Sequence, residues 1–397
     1  MRGAEHVLTV VRAVAEKNGL KMKIYDVIVV GGGIAGASVA YALSRDGRVL
    51  LLEHEHQAGY HSTSRSAAVV SSAYGPRTWQ LLTAASASFY ATPPEGFASA
   101  KLTKQLGALY LARAGEEGEL EDQAADLERR GLACALITPS SARELVPIVH
   151  MDEFCLGLYE PGCVDLNANA LLHGYIKGAK MRNAEIALGT GALSIDWRGR
   201  TWMVSFRDQV VAAPILVNAA GAWAGEIAAA AGVSARGVRP FRRTAITFDP
   251  PSGHDATRWP MTFDVSETWY FKPEGRHIMM SPCDLTPTPA CDAQPEEIDV
   301  AVAIERIETA TIMKVARLRS RWAGLRTFAP DQEAVIGPDP DNPAFIWYAG
   351  QGGNGVMGSW AGGEVCGALA LGKEMPSFVA ALGLTIEMIT PARFPRS

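Results

Sequence analysis

The first part of the chain consists of continuous apolar runs separated by a glycine-rich break. Residues 24–30 form a short, mostly β-branched run, and residues 49–52 form a second one. Short runs without alternating polar positions are typical of strands buried on both faces of a parallel sheet. Between the two runs, consecutive glycines lead into a helix-like stretch at residues 37–44. The pattern therefore predicts a β-α-β unit at the start of a doubly wound sheet.

The turn after the first predicted strand has the spacing G-x-G-x-x-G, with Gly31, Gly33 and Gly36 at the glycine positions. The first glycine permits a tight turn, the second lets the backbone approach a pyrophosphate, and the third lets helix and strand pack closely. The helix N-terminus offers free N–H groups to phosphates. Glu53 ends the second predicted strand, where it can accept a hydrogen bond from a ribose hydroxyl. This unit predicts a dinucleotide site, but FAD and NAD remain equally possible because both contain ADP.

Residues 59–68, called the flavin loop below, favour FAD over NAD. They combine several serine and threonine hydroxyls with a single arginine, Arg65. Such a loop can donate several hydrogen bonds to a pyrophosphate and a flavin, and its small residues let the backbone pass close to an isoalloxazine ring. A nicotinamide site has no comparable need for these residues.

Apolar runs near the middle and the end of the chain predict further strands of the same sheet. Residues 215–221 end in small residues, against which a dinucleotide can lie. Residues 345–349 lead into the glycine-rich segment 350–355 and a helix predicted at 356–371. The N-terminus of that helix would face the ligand and stabilise negative charge there.

The stretch between these runs has a different character. Runs such as 245–248 and 268–271 predict antiparallel strands, and the Pro-, Thr- and acid-rich stretch 284–297 predicts a surface loop. Composition then narrows the class of protein. The 397 residues are 48% hydrophobic and 20% charged, as in an ordinary globular protein, and the net charge of −5 gives no basic surface for nucleic acid.

Cysteine and histidine usage predicts a protein without disulfides or metal. The six cysteines form no CxxC pair, and the eight histidines lack the spacing of a helical metal site. We therefore expect a reduced, cytoplasmic protein. We also expect no transmembrane segment, leave peripheral membrane association open, and assign no role to residues 1–21, whose apolar run is too short for a signal peptide.

Five stretches together resemble the D-amino-acid-oxidase-like superfamily of FAD oxidoreductases, which includes glycine oxidase, sarcosine oxidase and D-amino-acid dehydrogenases. They are GYHSTSRSAA (59–68), YEPGCVDLNANALLHGY (159–175), VNAAGAWA (217–224), RWAGLRTF (321–328) and GQGGNGVMGS (350–359). The chain resembles bacterial D-arginine dehydrogenase in particular, from Tyr25 to the C-terminus. The resemblance implies oxidation of a small amino or imino acid with non-covalent FAD, and O2 or a quinone as electron acceptor.

The resemblance also implies the fold class and the division of the chain. We predict an α/β protein with a Rossmann-like FAD-binding domain and a discontinuous, mainly antiparallel substrate-binding domain. The FAD-binding domain would comprise residues 22–100, 148–238 and 322–397. The substrate-binding domain would comprise 101–147 and 239–321, and residues 1–21 would be an N-terminal extension.

Residues around the substrate follow from the same resemblance. Arg326 occupies the carboxylate-binding position of the family, and Arg243 matches a second carboxylate-binding arginine of D-arginine dehydrogenase. The planar guanidinium suits this task because it can bind a carboxylate through two parallel hydrogen bonds. Tyr74 and Tyr270 match active-site tyrosines, and Gly353 lies in a loop that approaches the substrate in the family.

Cofactor-binding residues are predicted from the glycine turn, the end of the second strand, the flavin loop, the run 215–221 and the glycine-rich segment 350–355, and the resemblance implies the others. The full set is Gly31, Gly33, Ile34, Ala35, Gly36, Glu53, His54, Ser62, Thr63, Arg65, Ser66, Ala67, Ala68, Ala192, Ala219, Gly221, Trp223, Arg326, Gly352, Gly353, Asn354, Gly355, Val356 and Met357. No cysteine lies near Arg326, where monomeric sarcosine oxidases attach their flavin. For His61, hydrogen bonding within the loop is expected and flavin attachment is not.

Two positions depart from D-arginine dehydrogenase and bear on the substrate. The glutamate that recognises the cationic side chain is replaced by Gly107, and an active-site histidine is replaced by Val69. The loss of these polar groups predicts an apolar or neutral substrate side chain, in a D-amino acid. Apolar candidates for the rest of the pocket are Met261, Phe263, Trp269, Val356 and Met357.

Three alternatives remain open from the sequence. Glu267 or Asp264 could replace the missing glutamate. The chain could instead be the flavin subunit of a heteromeric amine or opine dehydrogenase. It could also oxidise an alcohol, such as a 2-hydroxy acid or sn-glycerol phosphate, since related flavoenzymes do so.

Overall fold

The computed structural model describes residues 22–396, and its central element is a six-stranded sheet. The strands, in spatial order, are Glu185–Ala187, Val49–Leu52, Val27–Val30, Ile215–Asn218, Phe345–Ala349 and Val335–Pro338. Neighbouring strands are parallel except for the last pair. Val27–Val30 and Val49–Leu52 are buried throughout, because both faces of the sheet are covered.

Each face of this sheet contributes to a separate hydrophobic core. Val29 and Leu51 belong to one core, together with residues of the helices Ile34–Leu43 and Ser359–Ala370. Leu50, on the opposite face, belongs to a second core that contains Trp202. Trp202 comes from a four-stranded sheet whose strands are, in order, Met22–Ile24, Gln209–Ala213, Trp202–Phe206 and Ser194–Trp197. The predicted α/β fold with a largely parallel sheet covered on both faces is therefore confirmed.

The predicted β-α-β unit is confirmed with shifted boundaries. The strand expected at residues 24–30 is in fact two strands, Met22–Ile24 and Val27–Val30, which belong to different sheets. The chain passes between the sheets at Asp26, whose carboxylate accepts a hydrogen bond from the backbone N–H of Arg48 (2.7 Å). The helix begins at Ile34, because the glycine turn itself supplies its N-cap.

The second large element is a nine-stranded sheet. Its strands, in spatial order, are Thr286–Pro287, Arg239–Phe248, His277–Ser281, Tyr270–Glu274, Met261–Asp264, Ala108–Ala112, Leu156–Glu160 and Ala135–Ile137, and Leu318–Phe328 also pairs with Arg239–Phe248. All pairs are antiparallel except Met261–Asp264 with Ala108–Ala112. The expected mainly antiparallel sheet is therefore present.

The strand pairing bears on the predicted domain boundaries, which stay a prediction. Leu156–Glu160 pairs with Ala108–Ala112 in the nine-stranded sheet, although the sequence assigns residues 148–238 to the FAD-binding domain. Leu318–Phe328 crosses the boundary expected at 322 and lies in the same large sheet. Neither partner can be read from the local apolar pattern, because pairing depends on stretches distant in sequence.

The remaining elements are a small sheet and several helices. Val69–Val70, Val164–Leu166 and Thr103–Gln105 form a small sheet. Residues 284–296 are irregular apart from the short strand Thr286–Pro287, and the last predicted helix begins at Ser359, since residues 352–358 form turns. Further helices are Arg77–Ala91, Glu117–Arg129, Pro139–Leu145, Ala168–Met181, Ala224–Ala230, Glu297–Ala310, Ser377–Ala380 and Ile386–Ile389.

Candidate active site

The glycine turn brings backbone against backbone. Gly31 has a φ of +107°, and a Cβ added there would lie 2.4 Å from the carbonyl oxygen of Ala219. A Cβ on Gly36 would lie 1.8 Å from the carbonyl oxygen of Gly31. At Gly33 a Cβ would meet only the hydroxyl of Thr63, at 3.3 Å. Gly31 and Gly36 are thus required by the turn itself, whereas Gly33 borders space that a ligand can use.

The helix that follows this turn is prepared for an anion. The N-cap residue of Ile34–Leu43 is Gly33, which has no side chain to cap the helix. Among the described residues, Thr63 supplies the side-chain contact at this end, where its Oγ1 accepts from the backbone N–H of Ile34 (3.0 Å). Glu53 is fixed beside the turn, because its Oε2 accepts from the backbone N–H of Gly32 (2.6 Å) and its Oε1 from that of Glu55 (2.8 Å). The remaining lone pairs of this carboxylate can accept from a ribose.

The other predicted nucleotide-binding residues lie at the same edge of the sheet. His54 follows Val49–Leu52, Ala192 follows Glu185–Ala187, and Ala219 and Gly221 follow Ile215–Asn218. Carboxyl ends of parallel strands meet at one edge, where open α/β sheets bind their ligands. Trp223 lies in the turn Gly221–Trp223, with its ring centroid 4.5 Å from that of His61.

The hydroxyls of the flavin loop mostly bind protein groups. Ser62 Oγ donates to the carbonyl oxygen of Leu325 (2.6 Å), Ser64 Oγ to that of Gly59 (2.6 Å) and Ser66 Oγ to that of Thr63 (3.1 Å). His61 Nε2 lies 3.1 Å from Glu55 Oε1, so its hydrogen-bond partner is a residue just before the loop. These side chains therefore shape the loop, which also lines the cavity described below.

Arg65 has several protein partners besides any contact with a cofactor, which stays a prediction. Its guanidinium donates to the carbonyl oxygens of Ala293 (3.0 Å) and Ala323 (2.9 Å) and forms an ion pair with Asp292. These partners occupy the charged end of the side chain, so Arg65 ties the flavin loop to residues 292–293 and to Leu318–Phe328. The sequence gives no sign of this link, because Asp292 lies far away along the chain.

A cavity lies between the carboxyl edge of the six-stranded sheet and the nine-stranded sheet. It gathers the flavin loop, the glycine-rich segment and both predicted arginines. The predicted cofactor residues that line it are Ile34, Ser62, Thr63, Arg65, Ser66, Ala67, Ala68, Gly221, Arg326, Gly352, Gly353, Gly355, Val356 and Met357. Asn354 does not line it, because its buried side chain points toward Gly75.

Arg326 stands at the centre of one wall of this cavity. Its Nη1 donates to the hydroxyl of Tyr74 (3.3 Å) and its Nη2 to that of Tyr270 (3.5 Å). A Cβ on Gly353 would lie 2.8 Å from Arg326 Nη1, so only glycine lets the guanidinium lie against the loop. Burial raises the pKa of Tyr74, and the opposing charge of Arg326 does not cancel this effect. The phenol thus stays protonated at neutral pH, ready to donate to an anion.

Arg243 is buried beside Arg326 with unused hydrogen-bond donors. Arg243 pairs with Gly324, and Arg326 pairs with Phe241, so the arginines are diagonal neighbours on one face of the sheet. Arg243 is 9% exposed, and its Nε and Nη1 are buried without a hydrogen-bond partner among the described residues. A buried, unpaired charge is strongly unfavourable. The arrangement therefore favours binding of an anion at this wall.

Apolar side chains form much of the remaining lining. Met261, Phe263, Val356 and Met357 line the cavity as predicted. The prediction for Trp269 is wrong: it packs in the core beneath the nine-stranded sheet, with its ring centroid 5.8 Å from that of Phe271. Successive side chains along a strand point to opposite faces, and Tyr270 takes the cavity side.

The positions that depart from D-arginine dehydrogenase differ in their location. Val69 lines the cavity, whereas Gly107 does not. Gly107 has a φ of +80°, and a Cβ there would lie 3.0 Å from the hydroxyl oxygen of Tyr159. The candidate replacement Asp264 is buried and bound to Arg113 Nη1 (3.0 Å), and neither Asp264 nor Glu267 lines the cavity.

Sequence reasoning missed several lining residues. Ala245 lies two residues after Arg243 on the same strand, so strand alternation could have found it. Met279 lines the cavity from the neighbouring strand His277–Ser281, which only the sheet order reveals. Gln351 also lines it, and its buried Nε2 has no hydrogen-bond partner within residues 22–396.

The residues present fit FAD. The N-terminus of helix Ile34–Leu43 and Glu53 suit the ADP half, and the cavity, which Ile34 also lines, has small residues such as Ala67, Ala68 and Gly352 in its lining. Gln351, which also lines the cavity, has an unpartnered Nε2 among the described residues. Between residues 22 and 396, no cluster of His, Cys, Asp and Glu is suited to a metal ion, and no helix combines the length and apolarity needed to cross a bilayer. The six cysteines are unpaired.

Comparisons with known proteins agree with this geometry. Residues 26–369 match the DAO family model, described as FAD dependent oxidoreductase. Glycine oxidase of Bacillus subtilis is 23% identical over 375 residues, covering 88% of this chain and 94% of that protein. The solved structure of glycine oxidase from Geobacillus kaustophilus superposes with a TM-score of 0.80 at 20% identity, covering 94% of this chain and 100% of that one.

L-proline dehydrogenase from P. horikoshii has the same fold, with a TM-score of 0.79 at 22% identity over 94% of this chain and 98% of that one. The family match spans both the nucleotide end and the cavity wall that carries Arg326 and Arg243. This chain belongs to the DAO family of FAD-dependent oxidoreductases, and its cofactor is FAD.

Proposed function

We propose that this chain oxidises a small D-amino or imino acid with an apolar or neutral side chain, and that Arg326 and Arg243 together bind its carboxylate. The observation that carries the proposal is the presence of two guanidinium groups on one wall of the cavity, with Arg243 buried and Arg326 half-buried. One of them has unused donors, and two tyrosine hydroxyls stand beside the other. A planar carboxylate is the group that such an arrangement binds best.

The chain's own residues would bind and orient the substrate. Arg326 would donate two parallel hydrogen bonds to the carboxylate, and the protonated Tyr74 would donate a further one. Fixing the carboxylate limits the positions of the neighbouring Cα and amine. When bound, FAD supplies the group that accepts the hydride from Cα, and water hydrolyses the resulting imino acid to a 2-oxo acid and ammonia.

The side chain of the substrate would contact Met261, Phe263 and Met279. No aspartate or glutamate is among the cavity-lining residues of the described chain, so a cationic side chain would find no partner there. Burying a guanidinium without a carboxylate costs several kcal/mol, which outweighs the gain from burying its methylene stem. This argument supports D-leucine or D-methionine over D-arginine. The D configuration rests on the resemblance to D-arginine dehydrogenase alone.

Anaerobic bleaching of the bound FAD tests the proposal. The panel should contain D-leucine, D-methionine, D-arginine, the L-enantiomers, N-methyl amino acids and 2-hydroxy acids, followed by kcat/KM with an artificial acceptor. We expect D-leucine or D-methionine to exceed D-arginine by at least about tenfold.

The other outcomes identify which element of the proposal fails. A preference for D-arginine would mean that a carboxylate outside the observed lining recognises the side chain. Faster bleaching by L-amino acids would refute the configuration, and faster bleaching by 2-hydroxy acids would refute the amine. Bleaching by no carboxylic acid in the panel would refute the carboxylate site itself.

A further inference from the structure

Tyr74 lies in a short segment that is held by glutamates at both ends. The segment joins strand Val69–Val70 to helix Arg77–Ala91. At the helix end, Glu333 Oε2 accepts from the backbone N–H and the hydroxyl of Thr78 (2.9 and 2.6 Å). This contact caps the helix, which has no side-chain cap of its own. The other end is held by Glu160.

Glu160 is buried and binds the two residues that follow the strand. Its Oε2 accepts from Ser71 Oγ (2.7 Å), and its Oε1 accepts from the backbone N–H of Ser72 (2.7 Å). Ser71 Oγ in turn accepts from the backbone N–H of Ala73 (3.2 Å). Three consecutive residues immediately before Tyr74 are therefore fixed, directly or through Ser71, by one carboxylate that is 3% exposed.

Glu160 is also connected to the cavity lining through Ser71, Tyr110 and Phe263. The hydroxyl of Tyr110 lies 2.7 Å from Ser71 Oγ, and the Tyr110 ring stacks on Phe263, which lines the cavity (centroids 4.7 Å apart). Arg130 Nη2 donates to the carbonyl oxygen of Ser72 (2.7 Å), in the same peptide segment. Neither Glu160 nor Arg130 lines the cavity, so Glu160 has no direct contact with a substrate there.

We propose that Glu160 is a positioning residue for the substrate carboxylate, acting through the Ser71–Ala73 segment on Tyr74. The hydroxyl of Tyr74 must reach both Arg326 and the carboxylate, and a displacement of a few tenths of an ångström weakens such a hydrogen bond. A charged or polar group is costly to bury unless its hydrogen bonds are used. The hydrogen bonds of Glu160 bind the segment that places Tyr74. The inference rests on the proposed function, because Tyr74 matters only if Arg326 binds the substrate there.

Glu160→Gln tests this role while keeping the size of the side chain. Its amide keeps only one acceptor. Either the backbone N–H of Ser72 loses its partner, or the hydroxyl of Ser71 must turn to accept from the amide and so loses its hydrogen bond to a charged group. With the fastest D-amino acid of the panel above, we expect KM to rise about fivefold, the size of one lost hydrogen bond, with kcat within about twofold. Ser71→Ala should shift KM in the same direction and serves as the second variant if Glu160→Gln does not fold.

A double-mutant cycle with Tyr74→Phe separates positioning from general damage. We expect Glu160→Gln to have no further effect on KM in the Tyr74→Phe background, because the hydroxyl that it positions is absent. Glu308→Gln is the matched control, since Glu308 also accepts from a backbone N–H (Val315, 2.7 Å) but lies outside the cavity lining. It should leave KM unchanged.

The outcomes distinguish this inference from the proposed function. If Tyr74→Phe raises KM but Glu160→Gln and Ser71→Ala do not, the positioning role is refuted and the carboxylate site stands. Equal effects of Glu160→Gln in both backgrounds would also refute it, because the residue would then act independently of Tyr74. If Tyr74→Phe itself leaves KM unchanged, Tyr74 does not contribute to carboxylate binding and the inference fails, while Arg326→Lys still tests the carboxylate site separately.

Discussion

The nucleotide end and the substrate wall of the cavity are built in different ways. At the nucleotide end, Gly31, Gly36 and Glu53 come from one continuous β-α-β unit, and most contacts involve the backbone. At the substrate wall, Arg326 and Arg243 come from paired strands of the nine-stranded sheet, and their side chains make the contacts. The first site depends on local chain geometry, whereas the second depends on how distant strands pair.

The two regions should respond differently to amino-acid substitutions. A side chain added where two backbones touch has no room, because neither backbone can move without moving a strand. A side chain exchanged at the substrate wall leaves the strands in place and alters what the cavity binds. Substitutions at the nucleotide end should therefore affect folding and cofactor binding together, and those at the substrate wall should affect turnover with FAD still bound.

The largest expected effect is that of Gly36→Ala. The new Cβ would lie 1.8 Å from the carbonyl oxygen of Gly31, so the helix and the strand must separate. We expect this variant to lose FAD and to be destabilised by more than about 3 kcal/mol, the upper end of ordinary overpacking. Gly33→Ala is the matched control, because its Cβ meets only Thr63 Oγ1 at 3.3 Å. It should stay folded and bind FAD more weakly, as measured by flavin absorbance and thermal unfolding. Normal FAD content in Gly36→Ala would contradict the backbone-contact argument.

Arg326→Lys should give the next largest effect. Lysine keeps the charge but loses the planar fork, together with the contacts to Tyr74 and Tyr270. Losing a hydrogen bond to a charged group costs about 1.5–3 kcal/mol, so kcat/KM should fall about ten- to a hundredfold with FAD content unchanged. Arg321→Lys, on the same strand but exposed and paired with Glu297 (2.7 Å), should leave kcat/KM unchanged. Wild-type kinetics for Arg326→Lys would mean that the carboxylate binds elsewhere.

The same contrast explains what the sequence could and could not reveal. The glycine turn, the first buried strands and Glu53 follow from residues close together in the chain, so the pattern alone identifies them. Arg326 and Arg243 were identified only by resemblance, because no local pattern distinguishes them from surface arginines. Ala245 and Met279 were missed, since the order of strands in the nine-stranded sheet decides which side chains face the cavity. The interpretation that Trp269 lines the cavity is wrong, because its neighbour Tyr270 faces the cavity and Trp269 faces the core.

Two adjacent arginines on strand Arg239–Phe248 allow a matched comparison of a paired and an unpaired guanidinium. Arg242 and Arg243 point to opposite faces: Arg242 is paired with Glu296 and Asp299, whereas Arg243 has unused donors. We expect Arg243→Met to raise KM about tenfold and to leave the apo protein equally stable or more stable by about 1 kcal/mol, since an unpaired buried charge is removed. Arg242→Met should do the reverse, lowering stability by about 1–3 kcal/mol with little change in KM. Steady-state kinetics and urea unfolding measure both quantities. A loss of stability in Arg243→Met would indicate that a protein group already pairs with this charge.

The smallest expected effect lies where the two regions meet, at the ion pair between Arg65 and Asp292. The Arg65 guanidinium lowers the pKa of Asp292, whose side chain is 47% exposed. A carboxyl with a lowered pKa in the folded state stabilises the protein above its unfolded pKa, and this contribution is lost as the pH falls through the folded value. Because the pair is exposed to solvent, Asp292→Asn should cost less than about 1 kcal/mol at neutral pH. The melting temperatures of the variant and the wild type should converge below about pH 4, the ordinary range for aspartate, and at high salt. A difference that persists under both conditions would show that Asp292 acts through packing, and that the regions are joined by more than this charge pair.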